Sequence, residues 1–88
     1  MLKLDFTTNF KKDLILAKKR NLDISSLNEV VGTLLQEIPL GEKYRDHKLS
    51  GDYIGHRECH IKPDWLLIYY VGNNTLVLTR TGTHSDLF

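Results

Sequence analysis

Leu2, Leu4 and Phe6 alternate with polar residues, a period-two pattern that predicts a short first strand. Thr7 or Thr8 then offers a hydroxyl cap to a helix running to about Arg20. Phe10, Leu14 and Ala17 fall on one side of it, and Lys11, Lys12, Lys18, Lys19 and Arg20 cover much of the other. A second helix is read from Leu27, Val30, Val31, Leu34, Leu35 and Ile38 at i, i+3, i+4, i+7 spacing. Ser26 and Glu29 are placed as its capping box, and Pro39 stops it. Residues 39–52 hold Pro39, Gly41 and Gly51 among polar neighbours, the composition of a loop. Three strands are expected after that, roughly over residues 53–61, 65–71 and 75–81, with turns at Pro63-Asp64 and Gly72-Asn73-Asn74.

Strand, two helices and a three-stranded meander make an α+β domain of order β-α-α-β-β-β, antiparallel in its meander, with both helices packed on one sheet face. The run Trp65-Leu-Leu-Ile-Tyr-Tyr-Val71 is apolar on both sides, which places it centrally, and the first strand is expected beside the last. Two-residue turns at Pro63-Asp64 and Asn73-Asn74 set His60 opposite Leu67, and Leu67 opposite Arg80. Glu58, His60, Trp65, Tyr69 and Arg80 would then share one face. A slip of one residue at either hairpin would separate them.

The chain has 88 residues, 41% apolar and 26% charged, which describes one ordinary folded domain spanning residues 1–88. Its longest apolar run has strand length, well short of the ~18 residues needed to cross a bilayer. Lys3 and Asp5 bring charge too early for a secretory signal. A single cysteine, Cys59, fits a reducing compartment, so the cytoplasm is expected. Net charge is only +1 but unevenly spread: residues 1–20 carry six basic and two acidic side chains, and residues 21–42 carry four acidic and no basic ones. Any attraction to nucleic acid must therefore come from local patches.

The candidate chemistry lies in Arg80-Thr-Gly-Thr-His-Ser-Asp-Leu-Phe88. Arginine presents a fixed fork of donors to a phosphate, and histidine exchanges protons near neutrality. A terminal tail ending in Leu87-Phe88 suggests docking, which would bring His84 back over the Arg80 surface. The loop bearing Asp46 and His47 would border it. Bland readings stand beside these: Arg80 pairing with Glu58, Asp64 as a turn residue, Trp65 as core filler. His56-x-x-Cys59-His60 offers three metal donors, but on a strand Cys59 points away from the two histidines and no second pair exists. That strand position also makes Cys59 a poor nucleophile.

Tyr44-Arg-Asp-His47, Leu49-Ser-Gly51, Arg57-Glu-Cys-His60, Lys62-Pro-Asp-Trp65 and the segment from Arg80 to Phe88 together resemble the YafQ-type toxins of the RelE-like (RelE/ParE) superfamily. The resemblance spans essentially the whole chain. It implies a toxin of a type II toxin–antitoxin system, a metal-independent endoribonuclease that needs no cofactor. Such a toxin cleaves mRNA, typically at the A site of the 70S ribosome, and a cognate antitoxin neutralises it. It touches no membrane, and operator DNA only through the antitoxin. By the same resemblance His47, His60, Asp64, Arg80 and His84 are candidate catalytic residues, and Trp65, Phe88, Lys48 and Arg45 candidate substrate-binding ones. The alternative is a catalytically weak binding module that acts as antitoxin partner and co-repressor.

Overall fold

The computed structural model describes residues 1–88. In chain order it contains β1 (Lys3–Phe6), α1 (Thr8–Lys19), α2 (Ile24–Leu35), β2 (His47–Lys48), β3 (Arg57–Lys62), β4 (Trp65–Gly72), β5 (Thr75–Gly82) and α3 (His84–Leu87). Single 3-10 turns at Glu42–Tyr44 and Gly51–Tyr53 shape the connection around β2. The five strands form one mixed sheet in the order β1-β5-β4-β3-β2. β1 runs parallel to β5, and every other pairing is antiparallel. The α+β architecture, the central β4 and the place of β1 follow the sequence pattern; β2 is an addition within the expected loop.

Local chemistry fixes the helix ends. Thr7 Oγ1 accepts the Phe10 N–H at 3.0 Å and donates to the Thr79 carbonyl at 2.7 Å, capping α1 and tying it to β5. α2 begins earlier than the expected Ser26 box. Asp23 is its cap, accepting the Ser25 N–H at 3.1 Å and both serine hydroxyls, because one carboxylate gathers three donors there. α2 also ends before Ile38. Glu37 takes a left-handed φ of 60°, and the Glu37 and Ile38 N–H groups close on Leu34 and Thr33 carbonyls, so Pro39 follows a helix already terminated.

The main core lies between the helices and one sheet face, with Phe10, Ala17, Leu27 and Val30 meeting Cys59, Ile61, Trp65, Leu67 and Tyr69. A smaller cluster on the other face joins Leu66, Ile68 and Leu87, backed by Leu49 and Tyr53. Burying Leu87 contributes about 2 kcal/mol, enough to hold a one-turn helix against the sheet.

Both expected two-residue turns are present, with Lys62 opposite Trp65 and Gly72 opposite Thr75. The register beyond them is not as expected. An extra residue at Ile61 sets His60 opposite Leu66, and another at Thr79 sets Ile68 opposite Arg80 and Leu67 opposite Thr81. Each bulge inverts the alternation of its strand relative to β4. Two inversions cancel between β3 and β5, so Glu58, His60 and Arg80 still share a face. They do not cancel for β4: Trp65 and Tyr69 face the helices instead. β3 also starts at Arg57, not at residue 53, since Gly51 and Gly55 turn the chain with φ of 67° and 86°.

Candidate active site

The face opposite α1 and α2 carries the candidate residues in ordered rows. His47, Glu58, Ile68 and Arg80 are successive cross-strand partners across β2, β3, β4 and β5. The neighbouring row is His60, Leu66 and Gly82. With strands ~4.8 Å apart, the Glu58 and Arg80 backbones stand about 10 Å from each other. Leu66, Ile68 and Leu87 floor the space between two polar wings.

The first wing is a pair of imidazoles on one carboxylate. His47 Nδ1 lies 2.7 Å from the Arg45 carbonyl, and His60 Nδ1 lies 3.2 Å from the Pro63 carbonyl. A carbonyl only accepts, so each Nδ1 is the donor and each Nε2 is the nitrogen free to take a proton. Those Nε2 atoms sit 3.5 and 3.7 Å from Glu58 Oε1. Glu58 is buried, and its Oε2 has no hydrogen-bond partner. The group is therefore two imidazoles held at a fixed angle, each with its Nε2 beside one buried carboxylate.

The second wing is Arg80 and the tail. Arg80 Nε and Nη2 donate to Asp13 at 2.6 and 3.1 Å, and Asp13 also accepts the Thr81 N–H at 3.1 Å. Asp13, from α1, thus occupies the β5 edge just past the point where β1 stops pairing at Phe6 opposite Leu78. The hydrogen bonds to Asp13 hold the guanidinium more firmly charged than usual against the cost of partial burial, and Tyr53 adds to this. The bland pairing of Arg80 with Glu58 does not form. Thr83 opens α3 with a reciprocal capping box to Asp86, and Asp64 Oδ1 accepts the His84 N–H at 3.2 Å. Asp64 thus pins the backbone of the tail, not an imidazole. The exposed His84 ring lies 5.0 Å from the Phe88 ring, which stacks edge-on to Tyr53 at 5.7 Å.

Not every expected residue joins this surface. Trp65 is 2% exposed, with Nε1 donating to Thr81 Oγ1 at 2.9 Å, so it is a core residue and cannot stack on a base. Asp46 belongs to the helix side, where it accepts from Tyr69 at 2.6 Å and Arg57 at 3.2 Å. Lys48 alternates away from His47, and Arg45 sits exposed at the turn before β2. Cys59 is fully buried on the helix side, where desolvation pushes its thiol up to about 12. No three His, Cys, Asp or Glu side chains are grouped to hold a metal ion. Sequence reasoning missed Asp13 and Tyr53, and gave Glu58 only a bland role. Tyr53's one signal was a lone aromatic ring between Gly51 and Gly55.

Tail docking depends on Asp86, which accepts Arg20 Nη1 at 2.7 Å and the Thr83 N–H at 2.9 Å. These bonds hold its carboxyl well below the ordinary carboxylate range. A depressed folded pKa stabilises above the unfolded value, near 4, and the gain fades as pH falls through the folded one. Protection of the amides of residues 83–88, measured against their intrinsic exchange rates, is therefore expected to fall as pH drops below about 4. Asp86→Asn should show fast exchange already at neutral pH, losing a cap worth about 1 kcal/mol.

The family model for the bacterial YafQ toxin of type II toxin–antitoxin systems matches residues 2–88. The mRNA interferase toxin YafQ of Escherichia coli K12 is 38% identical over 86 residues, covering 97% of this chain and 94% of that protein. A copper-bound mutant toxin from Helicobacter pylori superposes with a TM-score of 0.95 at 45% identity, with both chains fully covered. The E. coli DinJ–YafQ complex gives 0.92 at 37% identity, covering 100% of this chain and 99% of that one. Whole-chain coverage at these identities, on the same fold, leaves one assignment: the chain belongs to the YafQ family of bacterial toxins of type II toxin–antitoxin systems.

Proposed function

We propose that this toxin is an endoribonuclease that cleaves mRNA on the translating ribosome by acid–base attack of a ribose 2′-OH on its own phosphodiester. Its E. coli relative carries the name mRNA interferase. One observation carries the reading: a guanidinium, a docked terminal imidazole and a carboxylate-backed imidazole pair stand over one apolar floor on a single sheet face.

The roles follow from geometry. Either Nε2 of the His47–His60 pair takes the 2′-OH proton, and Glu58 stabilises the imidazolium that forms. The 2′-oxygen attacks phosphorus as charge grows on the nonbridging oxygens, where Arg80 meets it. His84 then protonates the departing 5′-oxygen. Asp64 and Leu87 position that residue through the backbone, and Phe88 stacks on a base beside the cut. The products are a 2′,3′-cyclic phosphate, or the 3′-phosphate from its hydrolysis, and a 5′-hydroxyl. No step requires a metal or cofactor.

The antitoxin partner follows from the family, as DinJ binds YafQ in E. coli. Along the β1 edge and α1, exposed Leu4, Phe6, Ile15 and Leu16 lie among Lys3, Lys11 and Lys12, with Lys11 over the Phe6 ring at 5.3 Å. An acidic segment that folds on binding suits such a strip. The direct test is induction in cells, followed by end mapping of transcripts. New 5′-hydroxyl ends within coding regions are expected from wild type and not from an Arg80→Ala, His84→Ala double variant. Purified toxin with ribosomes kept intact in excess Mg²⁺ should cut RNA equally with or without a chelator selective for transition metals, and leave the all-deoxy strand intact. A chelator-silenced activity, or scission of DNA, contradicts the mechanism.

A further inference from the structure

We infer that the toxin carries a second RNA-binding element, a groove that receives the nucleotide on the 5′ side of the cut. The inference rests on the ribonuclease reading above and extends it to a surface outside the reacting groups.

The groove runs behind His60, between α2 and the 3-10 turn at Glu42–Tyr44, and encloses about 610 Å³. That volume lies within the range of sites that take a nucleotide-sized ligand. Lys43, Arg45 and Lys62 line it against one carboxylate, Glu29, with Tyr44 forming part of the wall. None of the three cations is held in an ion pair. Lys43 Nζ lies 5.0 Å over the Tyr44 ring, and the Asp23 carboxyl, lowered first by its Ser25 and Ser26 hydrogen bonds, is lowered further by Lys62 nearby. In a chain of net charge +1, three unpaired cations around one concavity form the local patch that the overall balance lacks. Phosphates are their natural counterion, and each contact releases condensed salt.

Two features join the groove to the chemistry. His60 belongs to both, so a strand lying in the groove leads directly to the proposed base. Arg45 holds a left-handed φ of 49°, unusual for a residue with a side chain, and this same turn delivers its carbonyl to His47 Nδ1 at 2.7 Å. Polarity follows from the mechanism. The base serves the 2′-OH of the nucleotide before the cut, and the acid, on the far wing with Phe88, serves the nucleotide after it. A groove beyond the base therefore takes the 5′ flank, and its cations hold that flank's phosphates.

The test uses short RNAs spanning a mapped cut, with a 2′-O-methyl group on the cut nucleotide to block cleavage. Each is extended by a few nucleotides on the 5′ or the 3′ side only, and binding to the full-length toxin is read by fluorescence anisotropy. The double variant Lys43→Ala, Lys62→Ala should bind the 5′-extended RNA about 10-fold more weakly and the 3′-extended RNA as wild type does. Its log-affinity against log-salt slope should fall by about 1.4, at ~0.7 per lost single-strand phosphate contact. Glu29 is exposed, so Glu29→Lys is free to reverse the effect and should tighten the 5′-extended RNA alone. Equal loss on both RNAs, loss confined to the 3′-extended one, or no loss overturns the groove. Wild-type cleavage of the unblocked RNAs on ribosomes runs in parallel. If cleavage succeeds while the groove variants change nothing, only this inference falls; if wild type never cleaves, the ribonuclease reading falls with it.

Discussion

Replacing His84 by alanine is expected to slow RNA cleavage by about 10²–10⁴-fold, the usual contribution of one positioned proton donor, with little change in stability. The imidazole is exposed and makes no hydrogen bond; the backbone bond to Asp64 and the burial of Leu87 do not involve it. A change at such a site stays within about 0.5 kcal/mol. Mechanism and structure then separate cleanly. If His84 protonates the leaving 5′-oxygen, a substrate with sulfur at that position, which departs without protonation, should be cut by His84→Ala nearly as fast as by wild type. The limb of the pH–rate profile belonging to the acid should vanish in the variant. A large loss persisting on the sulfur substrate would assign His84 to binding instead. Leu87→Ala undocks the whole turn, Phe88 included, so it should lose at least as much rate as His84→Ala and be rescued by sulfur only in part.

Much of this arrangement was legible in the chain, and the exceptions have identifiable causes. The apolar run at Trp65–Val71 could only be a central strand, and the two turn signals fixed both hairpin loops correctly. Nothing in local composition marks the bulges at Ile61 and Thr79. They arise because the paired strands must bend and twist together, a property of the sheet and not of either strand. That is why Arg80 and His60 were rightly placed on a common face while Trp65 was misplaced from the helix side. Ser26 and Glu29 satisfied the spacing of a capping box, yet Asp23 outcompeted them by gathering more donors. Asp13 was unreadable for another reason: its partner lies 67 residues away, across a parallel pairing of β1 with β5 that no hairpin pattern reveals.

That distant carboxylate sets the terms of the other large effect. Arg80→Ala is expected to reduce cleavage about 10²–10³-fold, as when one preorganised donor to a developing oxyanion is lost. Arg80→Lys should recover little of it, because a lysine cannot reproduce the two-pronged contact that orients the guanidinium on Asp13. The loss should carry a stability cost that the His84 variant lacks. Removing the guanidinium leaves the Asp13 carboxylate, 13% exposed, with only the Thr81 N–H as partner. An under-satisfied, partly buried charge of this kind costs about 1–3 kcal/mol. A second substitution, Asp13→Asn, removes that charge. The Arg80→Ala, Asp13→Asn double variant should therefore regain most of the melting temperature and none of the activity. Asp13→Asn alone should keep the arginine but loosen it, lowering kcat by roughly 10-fold through lost orientation with little change in KM. If the double variant instead recovered cleavage, the arginine would be a structural partner of α1, and the charge on the transition state would have to be met by another group. If Arg80→Lys matched wild type, a point charge would suffice and the fork that Asp13 holds in place would be irrelevant to the chemistry.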